Sequence, residues 1–233
     1  MPAQINSNAS SVITNLSDAI GKAVTNNIVF YKGDMPGLAE GIPAYRITGS
    51  RFWNDAWIFA SLYDGNDKLL GRIPVKLNLN YSSVHYMDKK GNELALDPEQ
   101  IRKVVFLKDT FSLEPVSIFV SYLPYIYVGK QKVNDYVRVM NQGKAALIKY
   151  ERRNIGTADS AFGTQKRYFF KSETFYYLWF NNKAEEIKRL NKDALLQLLP
   201  GASVYEEWIA ANRINLKKEE DVVKFLEYYN SQK

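Results

Sequence analysis

Residues 46–107 read RITGSRFWNDAWIFASLYDGNDKLLGRIPVKLNLNYSSVHYMDKKGNELALDPEQIRKVVFL, a series of short apolar runs separated by turn signals at 64–67, 88–91 and 97–98. Apolar and polar side chains alternate in one of these runs, with Val75, Leu77, Leu79 and Tyr81 on one side and Lys76, Asn78 and Asn80 on the other. A period of two residues is typical of a strand with one buried face. The alternation therefore predicts that the polar side of this strand faces solvent.

The turn signals join the apolar runs into hairpins. The predicted pairs are 57–63 with 69–81, 84–87 with 93–96, and 136–140 with 145–153, each flanking a turn rich in Asp, Asn, Gly or Lys. Short turns between alternating runs favour antiparallel neighbours. We predict a β-rich α+β protein, with an antiparallel sheet built from hairpins as a barrel or sandwich and a C-terminal helical segment.

The rest of the chain suggests three segments. Residues 1–27 form a polar segment with a weak helix, 28–189 an antiparallel β domain, and 190–233 a helical segment packed on that domain. Residues 154–165 are small and polar and predict an exposed loop, whereas 167–171 and 175–180 predict two separate aromatic strands. Ser203 and Glu206 have the spacing of a capping box at a helix start.

Composition excludes several classes of site and of protein. The 233 residues are 46% hydrophobic, enough for a substantial core, and they include no cysteine, which excludes disulfides and thiolate chemistry. No run approaches the roughly 20 apolar residues of a membrane-spanning helix, and the N-terminus lacks the pattern of a signal peptide. We expect no cofactor, and the sequence leaves the oligomeric state open.

Catalytic and metal-binding patterns are weak, so we predict no catalytic residue and no metal ligand. His85 is the only histidine, and it lies in a predicted strand without a nucleophile motif near it. It is expected to face solvent or a neighbouring side chain. The acids of the predicted turns are explained by local backbone bonding. Whether the protein is an enzyme stays open, with the balance against it.

Two groups of side chains are candidates for ligand binding. Trp53, Asp55 and Trp57 lie at the entry to residues 46–107, where tryptophans can line a sugar or peptide groove, although packing at the end of a β core is the commoner role. Arg152, Arg153, Lys166 and Arg167 lie in a segment, 130–192, that carries 14 Lys or Arg and 6 Asp or Glu. Arginine beside aromatic residues can stack on bases or sugars, but charged outer faces are also common on packed strands.

Three stretches resemble a group of uncharacterised exported proteins of Bacteroidota. They read GSRFWNDAW at 49–57, LNLNY at 77–81 and GNELALDP at 91–98. The C-terminal residues 195–199 and 214–230 are similar to the tail of the same group. The resemblance covers about half of the chain and implies a periplasmic or cell-envelope location, with no substrate, cofactor or active residue attached to it. Without it, a cytoplasmic location is expected.

These observations favour a non-enzymatic cell-envelope protein that binds a protein or glycan ligand through exposed loops. One alternative is a glycan-active enzyme that uses a pair of carboxylates facing each other across a cleft. Another is a basic nucleic-acid binder that uses the four cations named above, whose binding would weaken steeply with salt. We expect nucleic acid to be the less favoured partner.

Overall fold

The structure is a computed structural model that describes residues 29–30, 46–96, 99–159 and 166–232. The helix predicted within 1–27 lies outside these residues. The chain divides into two compact units, the first comprising Met1–Val116 and Arg153–Ser172 and the second Ser117–Arg152 and Glu173–Lys233. The predicted division into 1–27, 28–189 and 190–233 stays a prediction.

Seven strands lie wholly within the first unit among its described residues. They are β1 (Val29–Phe30), β2 (Ile47–Thr48), β3 (Ile58–Tyr63), β4 (Leu69–Asn78), β5 (Ser83–Met87), β6 (Glu93–Leu96) and β7 (Lys103–Leu107). Their order in the sheet is β1-β6-β5-β4-β3-β7, and these neighbours are antiparallel. The predicted hairpins β3–β4 and β5–β6 are therefore confirmed.

Aspartate side chains close both hairpin turns. The Oδ1 atom of Asp64 accepts hydrogen bonds from the backbone N–H groups of Asn66, at 2.8 Å, and Lys68, at 3.0 Å. Asp88 Oδ1 accepts in the same way from Lys90 and Asn92, each at 2.8 Å. A short acidic side chain that bonds to the following backbone is a standard device of turns. The turn signals of the sequence thus have a direct structural cause.

The second unit is built around two long strands. The strands that complete the chain are β8 (Pro115–Val120), β9 (Tyr127–Val128), β10 (Gln131–Lys132), β11 (Val137–Val139), β12 (Ala145–Asp159), β13 (Lys166–Phe180) and β14 (Lys183–Ile187). The order in this unit is β8-β11-β12-β13-β14, and β9 pairs with β10 as a separate hairpin. The predicted hairpin β11–β12 is confirmed. In the first unit, β2 pairs in parallel with β13 at Tyr168 and Phe169, so the sheet is mixed.

The β-rich fold class with C-terminal helices is confirmed. The strand pairs of the described residues do not close either unit into a barrel.

Two local predictions for this region are wrong. The predicted loop 154–165 is strand as far as Asp159, and the two predicted aromatic strands are one continuous strand, β13. Gly156 lies within β12, and a Cβ atom there would come within 2.9 Å of the Phe169 ring. Glycine in this strand makes room for an aromatic side chain that packs against its backbone. The sequence alone predicted an exposed loop.

Three α-helices follow the last strand. They are α1 (Lys192–Leu198), α2 (Glu206–Ala211) and α3 (Glu219–Ser231), with a 3₁₀ turn at Ala202–Tyr205. Asn191 caps α1 by accepting a hydrogen bond from the Ala194 N–H at 2.8 Å. The predicted capping box at Ser203 and Glu206 is wrong, because Ser203 lies inside the 3₁₀ turn and Glu206 is itself the first residue of α2.

The final helix supplies one side of the core of the second unit. Val222, Phe225, Leu226 and Tyr229 follow one another at helical spacing and are at most 5% exposed. They pack in one cluster with strand residues such as Leu147. Most of the stability of α3 therefore comes from this packing rather than from intrinsic helix propensity.

Replacing Phe225 by alanine should lower the free energy of unfolding by about 3–5 kcal/mol, because a fully buried ring is removed and a cavity remains. Glu227→Ala, at an exposed position of the same helix, is the matched control and should change it by less than about 0.5 kcal/mol. Urea unfolding monitored by circular dichroism measures both. Equal effects of the two substitutions would show that α3 does not form part of the core.

Candidate functional site

One face of the sheet in the first unit carries a cluster of polar side chains. Asn78 on β4 lies opposite Ser83 on β5, and Met87 lies opposite Glu93, which makes Glu93 a diagonal neighbour of His85. The alternation in the sequence predicts this face as the exposed one. That prediction is wrong for Asn78, which is 0% exposed, and His85 is only 1% exposed.

The segment just before β3 covers this polar face. Phe52 forms an isolated antiparallel bridge with Asn78, and the Trp53 N–H donates to the Leu77 carbonyl at 2.9 Å. The Phe52 ring also meets the His85 imidazole edge to face, with 5.1 Å between ring centroids. Such edge-to-face pairs are favourable for aromatic rings. The segment around Phe52 and Trp53 therefore covers the polar side chains in the middle of the sheet and excludes solvent from them.

His85 makes hydrogen bonds through both ring nitrogens. Its Nδ1 atom is 2.7 Å from Oε1 of Glu93. Its Nε2 atom is 3.2 Å from Nδ2 of Asn78 and 3.2 Å from Oγ of Ser83. Three strands, β4, β5 and β6, therefore meet at one imidazole.

The orientation of Asn78 determines which nitrogen of His85 carries the proton. Asn78 Oδ1 accepts from the backbone N–H groups of Asn80, at 2.9 Å, and Tyr81, at 3.2 Å. The amide NH₂ of Asn78 is therefore the group that faces His85, and it can only donate. Nε2 must accept, so the proton lies on Nδ1, which donates to Glu93.

Glu93 is the charged end of this network. The pKa of Glu93 lies below its ordinary value, chiefly because His85 donates a hydrogen bond to its carboxylate. Partial burial opposes this shift, and the nearby charges of Arg51, whose Nη2 is 3.8 Å from Oε1, and of Lys76 add to it. The carboxylate thus stays ionised and holds the imidazole in one tautomer.

The order Ser83, His85, Glu93 has the connectivity of a nucleophile, a base and an orienting acid. Two features oppose that chemistry. The Asn78 amide occupies the side of Nε2 where the proton of Ser83 would have to go, and Ser83 is only 9% exposed. A base must be able to take up the proton that it removes. The cluster is better explained as a buried polar centre that holds the strands in register. The spacing of two between Ser83 and His85 was the only sequence signal for it.

The three residues of the predicted tryptophan site, Trp53, Asp55 and Trp57, all make contacts within the protein. The Trp53 ring lies 4.8 Å from the Phe106 ring, measured between centroids. The Lys76 ammonium lies 4.6 Å from the centroid of Trp57, a cation–π contact. Asp55 accepts a hydrogen bond from a neighbouring serine hydroxyl. Each of the three predicted residues therefore has a partner within its own unit.

Arg152 and Arg153 also make contacts within the protein. Arg152 Nε donates to Glu173 at 2.8 Å, and its guanidinium carbon lies 5.5 Å from the centroid of Phe175. Arg153 Nη1 donates to the carbonyl of Ser50 at 2.6 Å. Both guanidinium groups therefore help to hold the protein itself together.

The other two predicted cations line a cleft of about 740 Å³ in the first unit. The described residues of its lining are Arg46, Thr48, Lys166, Arg167 and Tyr168, and we call it the basic cleft. The parallel pairing of β2 with β13 brings these residues close together, and Thr48 Oγ1 donates to the Tyr168 carbonyl at 3.2 Å. Three cations around a concave surface favour an anionic ligand. Arg46 was not among the residues selected from the sequence, because only the pairing of distant strands brings it here.

Two further properties concern metals and membranes. Within the described ranges, no group of three or more His, Asp or Glu side chains has the arrangement of a metal site. In the same part of the chain, no helix is both long and apolar enough to span a bilayer.

Replacing Glu93 by glutamine should lower the free energy of unfolding at neutral pH by about 1 kcal/mol, since a charged hydrogen-bond acceptor becomes neutral. The lowered pKa of Glu93 means that its carboxylate stabilises the fold above the unfolded value of about 4.3. This contribution is lost as the pH falls through the folded value. The variant should therefore lose less stability than the parent in that acid range. Urea titrations at several pH values measure the difference.

Glu114→Gln is the control, because its ion pair with Lys108 is exposed at both ends and should contribute little. Parallel pH profiles of the parent and Glu93→Gln would contradict the role assigned to Glu93.

Comparison with protein-family models, with curated proteins and with solved structures found no significant match. The resemblance to exported proteins of Bacteroidota therefore stays a prediction.

Proposed function

We propose that this protein is a non-enzymatic binding protein of the cell envelope, and that its ligand is an acidic glycan held in the basic cleft. The cell-envelope location rests on the resemblance of residues 49–57, 77–81 and 91–98 to exported proteins. The observation that carries the ligand class is the meeting of Arg46, Lys166 and Arg167 around one concave surface.

The chemistry of the basic cleft suits an acidic sugar. Guanidinium groups bind carboxylates and sulfates with two parallel hydrogen bonds, and lysine adds a mobile positive charge. Tyr168 contributes a half-buried aromatic side chain with a polar end, which can contact a sugar ring. A volume of about 740 Å³ lies within the usual range of about 300–1,000 Å³ for ligand sites.

A compact ligand is favoured over a nucleic acid. A nucleic-acid interface would need a continuous basic surface with several phosphate contacts. Arg152 is engaged by Glu173, and Arg153 donates to the Ser50 carbonyl. Of the four cations selected from the sequence, only Lys166 and Arg167 line the cleft. The basic cleft is therefore a local anion site and not part of a continuous basic surface.

A binding role is also favoured over glycan hydrolysis. Glycoside hydrolysis needs two carboxyl groups that face each other across the sugar. The described residues that line the basic cleft include no carboxylate. The acids Asp64 and Asp88 accept hydrogen bonds from the backbone of their own turns. These observations support binding without chemistry.

Replacing Arg46, Lys166 and Arg167 together by glutamine removes the three positive charges of the basic cleft. It should weaken binding to a heparin oligosaccharide by at least about tenfold, a loss of about 1.4 kcal/mol of binding free energy. Titration calorimetry at low salt measures the affinity. The control replaces Lys130, Lys132 and Lys183, three exposed lysines of the second unit, and lowers the net charge by the same amount. This control should bind like the parent.

A single-stranded oligonucleotide of equal charge serves as the second ligand and should bind more weakly than the oligosaccharide. Equal losses in the two triple variants would show that net charge, and not the cleft, drives binding. Tighter binding of the oligonucleotide would favour the nucleic-acid alternative instead.

A further inference from the structure

An apolar loop projects from the first unit between β7 and β8. Residues 108–114, which we call the apolar finger, present Phe111 at 96% exposure and Leu113 at 63%. Single exposed apolar side chains are ordinary on protein surfaces. Two large ones in one short loop, one of them almost fully exposed, are characteristic of an interaction surface.

Hydrogen bonds within the loop hold the apolar finger in one conformation. Asp109 Oδ1 accepts from the backbone N–H groups of Phe111, at 2.8 Å, and Ser112, at 2.6 Å. The Glu114 N–H donates to the Ser112 hydroxyl at 3.0 Å, and the Lys108 N–H donates to the Glu114 carbonyl at 3.1 Å. A loop that is already ordered loses less entropy when it binds.

The apolar finger is also acidic. The loop contains one cation, Lys108, which pairs with Glu114 at 3.1 Å, and two acids, Asp109 and Glu114. Backbone N–H groups of Ser112 and Phe111 lower the pKa of Asp109, so its carboxylate is ionised at neutral pH. A negative loop is repelled by an anionic lipid surface. It instead favours an apolar partner surface with positive charges at its edge.

The second unit offers such a surface. A cleft of about 660 Å³, which we call the helix-edge cleft, lies where β14 ends and α3 begins. Its apolar lining includes Ile187 and Leu190, which belong to the core cluster of that unit and are 2% and 7% exposed, and Tyr176, which packs against that cluster and is half-buried. Aliphatic and aromatic side chains at the base of a cleft can receive a ring such as that of Phe111.

Positive charges predominate at the rim of the helix-edge cleft. The exposed cations are Lys188, Arg189, Lys217 and Lys218, and the exposed acids are Glu186 and Glu220.

A third acid in the helix-edge cleft, Glu219, is already engaged within the protein. It accepts from the Tyr176 hydroxyl at 2.5 Å and pairs with Lys149 at 2.9 Å. Cations therefore outnumber the remaining acids by two to one, which complements the charge of the apolar finger.

We propose that the apolar finger of one copy of this protein docks into the helix-edge cleft of a second copy. Phe111 and Leu113 fill the apolar base, and Asp109 lies among the cations of the rim. The two surfaces differ, so the contact is head to tail and each chain offers one finger and one cleft. Assembly is then weak and depends on concentration. The proposal does not rest on the ligand of the basic cleft.

Sedimentation velocity of the full chain from about 1 μM to about 1 mM tests the contact. The parent should show concentration-dependent self-association. A finger variant, Phe111→Ser with Leu113→Ser, and a cleft variant, Arg189→Glu with Lys218→Glu, should each weaken it at least tenfold. All four positions are exposed, so folding should be retained, and circular dichroism verifies it. Val204→Ser, at a 73% exposed apolar position elsewhere, is the control and should associate like the parent.

Mixing the two defective variants gives the sharper result. The finger variant keeps an intact cleft and the cleft variant keeps an intact finger, so an equimolar mixture should form a one-to-one heterodimer that grows no further. A parent chain that stays monomeric over the whole range would overturn the proposal. So would a mixture without heterodimer, or a finger that instead binds phosphatidylcholine–phosphatidylglycerol vesicles.

Discussion

The first unit depends on the hydrogen bonds of one buried imidazole. His85 is 1% exposed, and a buried polar ring is destabilising unless both nitrogens have partners. Asn78 on β4, Ser83 on β5 and Glu93 on β6 supply them. A slip of one residue between these strands would move the partners to the opposite face. The network therefore fixes the register of the sheet as well as the position of its only histidine.

The hairpins were predictable because hydrogen bonds between residues close in sequence form their turns. The burial of nearby side chains was not predictable, because it depends on residues far apart in sequence. Asp64 and Asp88 indicate turns because the side chain of each accepts a hydrogen bond from a backbone N–H group that follows it. The burial of Asn78 depends on Phe52, which lies 26 positions earlier in the sequence, pairs with it and covers the polar face. No periodic pattern in β4 contains that information. Gly156 likewise indicated a loop, because its role depends on an aromatic ring in the next strand.

The same distinction between local sequence signals and long-range contacts applies to the candidate binding residues. Lys166 and Arg167 were recognisable from composition, since cations beside aromatic residues are unusual enough to be selected. Their neighbour Arg46 was not, because the parallel pairing of β2 with β13 joins residues about 120 positions apart. Arg152 and Arg153 met the same compositional criterion. Their acceptors, however, are placed by the fold, and these hydrogen bonds favour a structural role for both guanidinium groups.

His85 is a fixed member of this structural network and is held in one tautomer by Asn78 and Glu93. Nitrogen-15 NMR of the imidazole tests this directly, and the spectrum needs no assignment because the chain contains one histidine. The network predicts a proton on Nδ1 and an unprotonated Nε2. The Nδ1 proton should exchange slowly with water. A proton on Nε2, or a rapid exchange between the two tautomers, would contradict this role of Asn78 and Glu93.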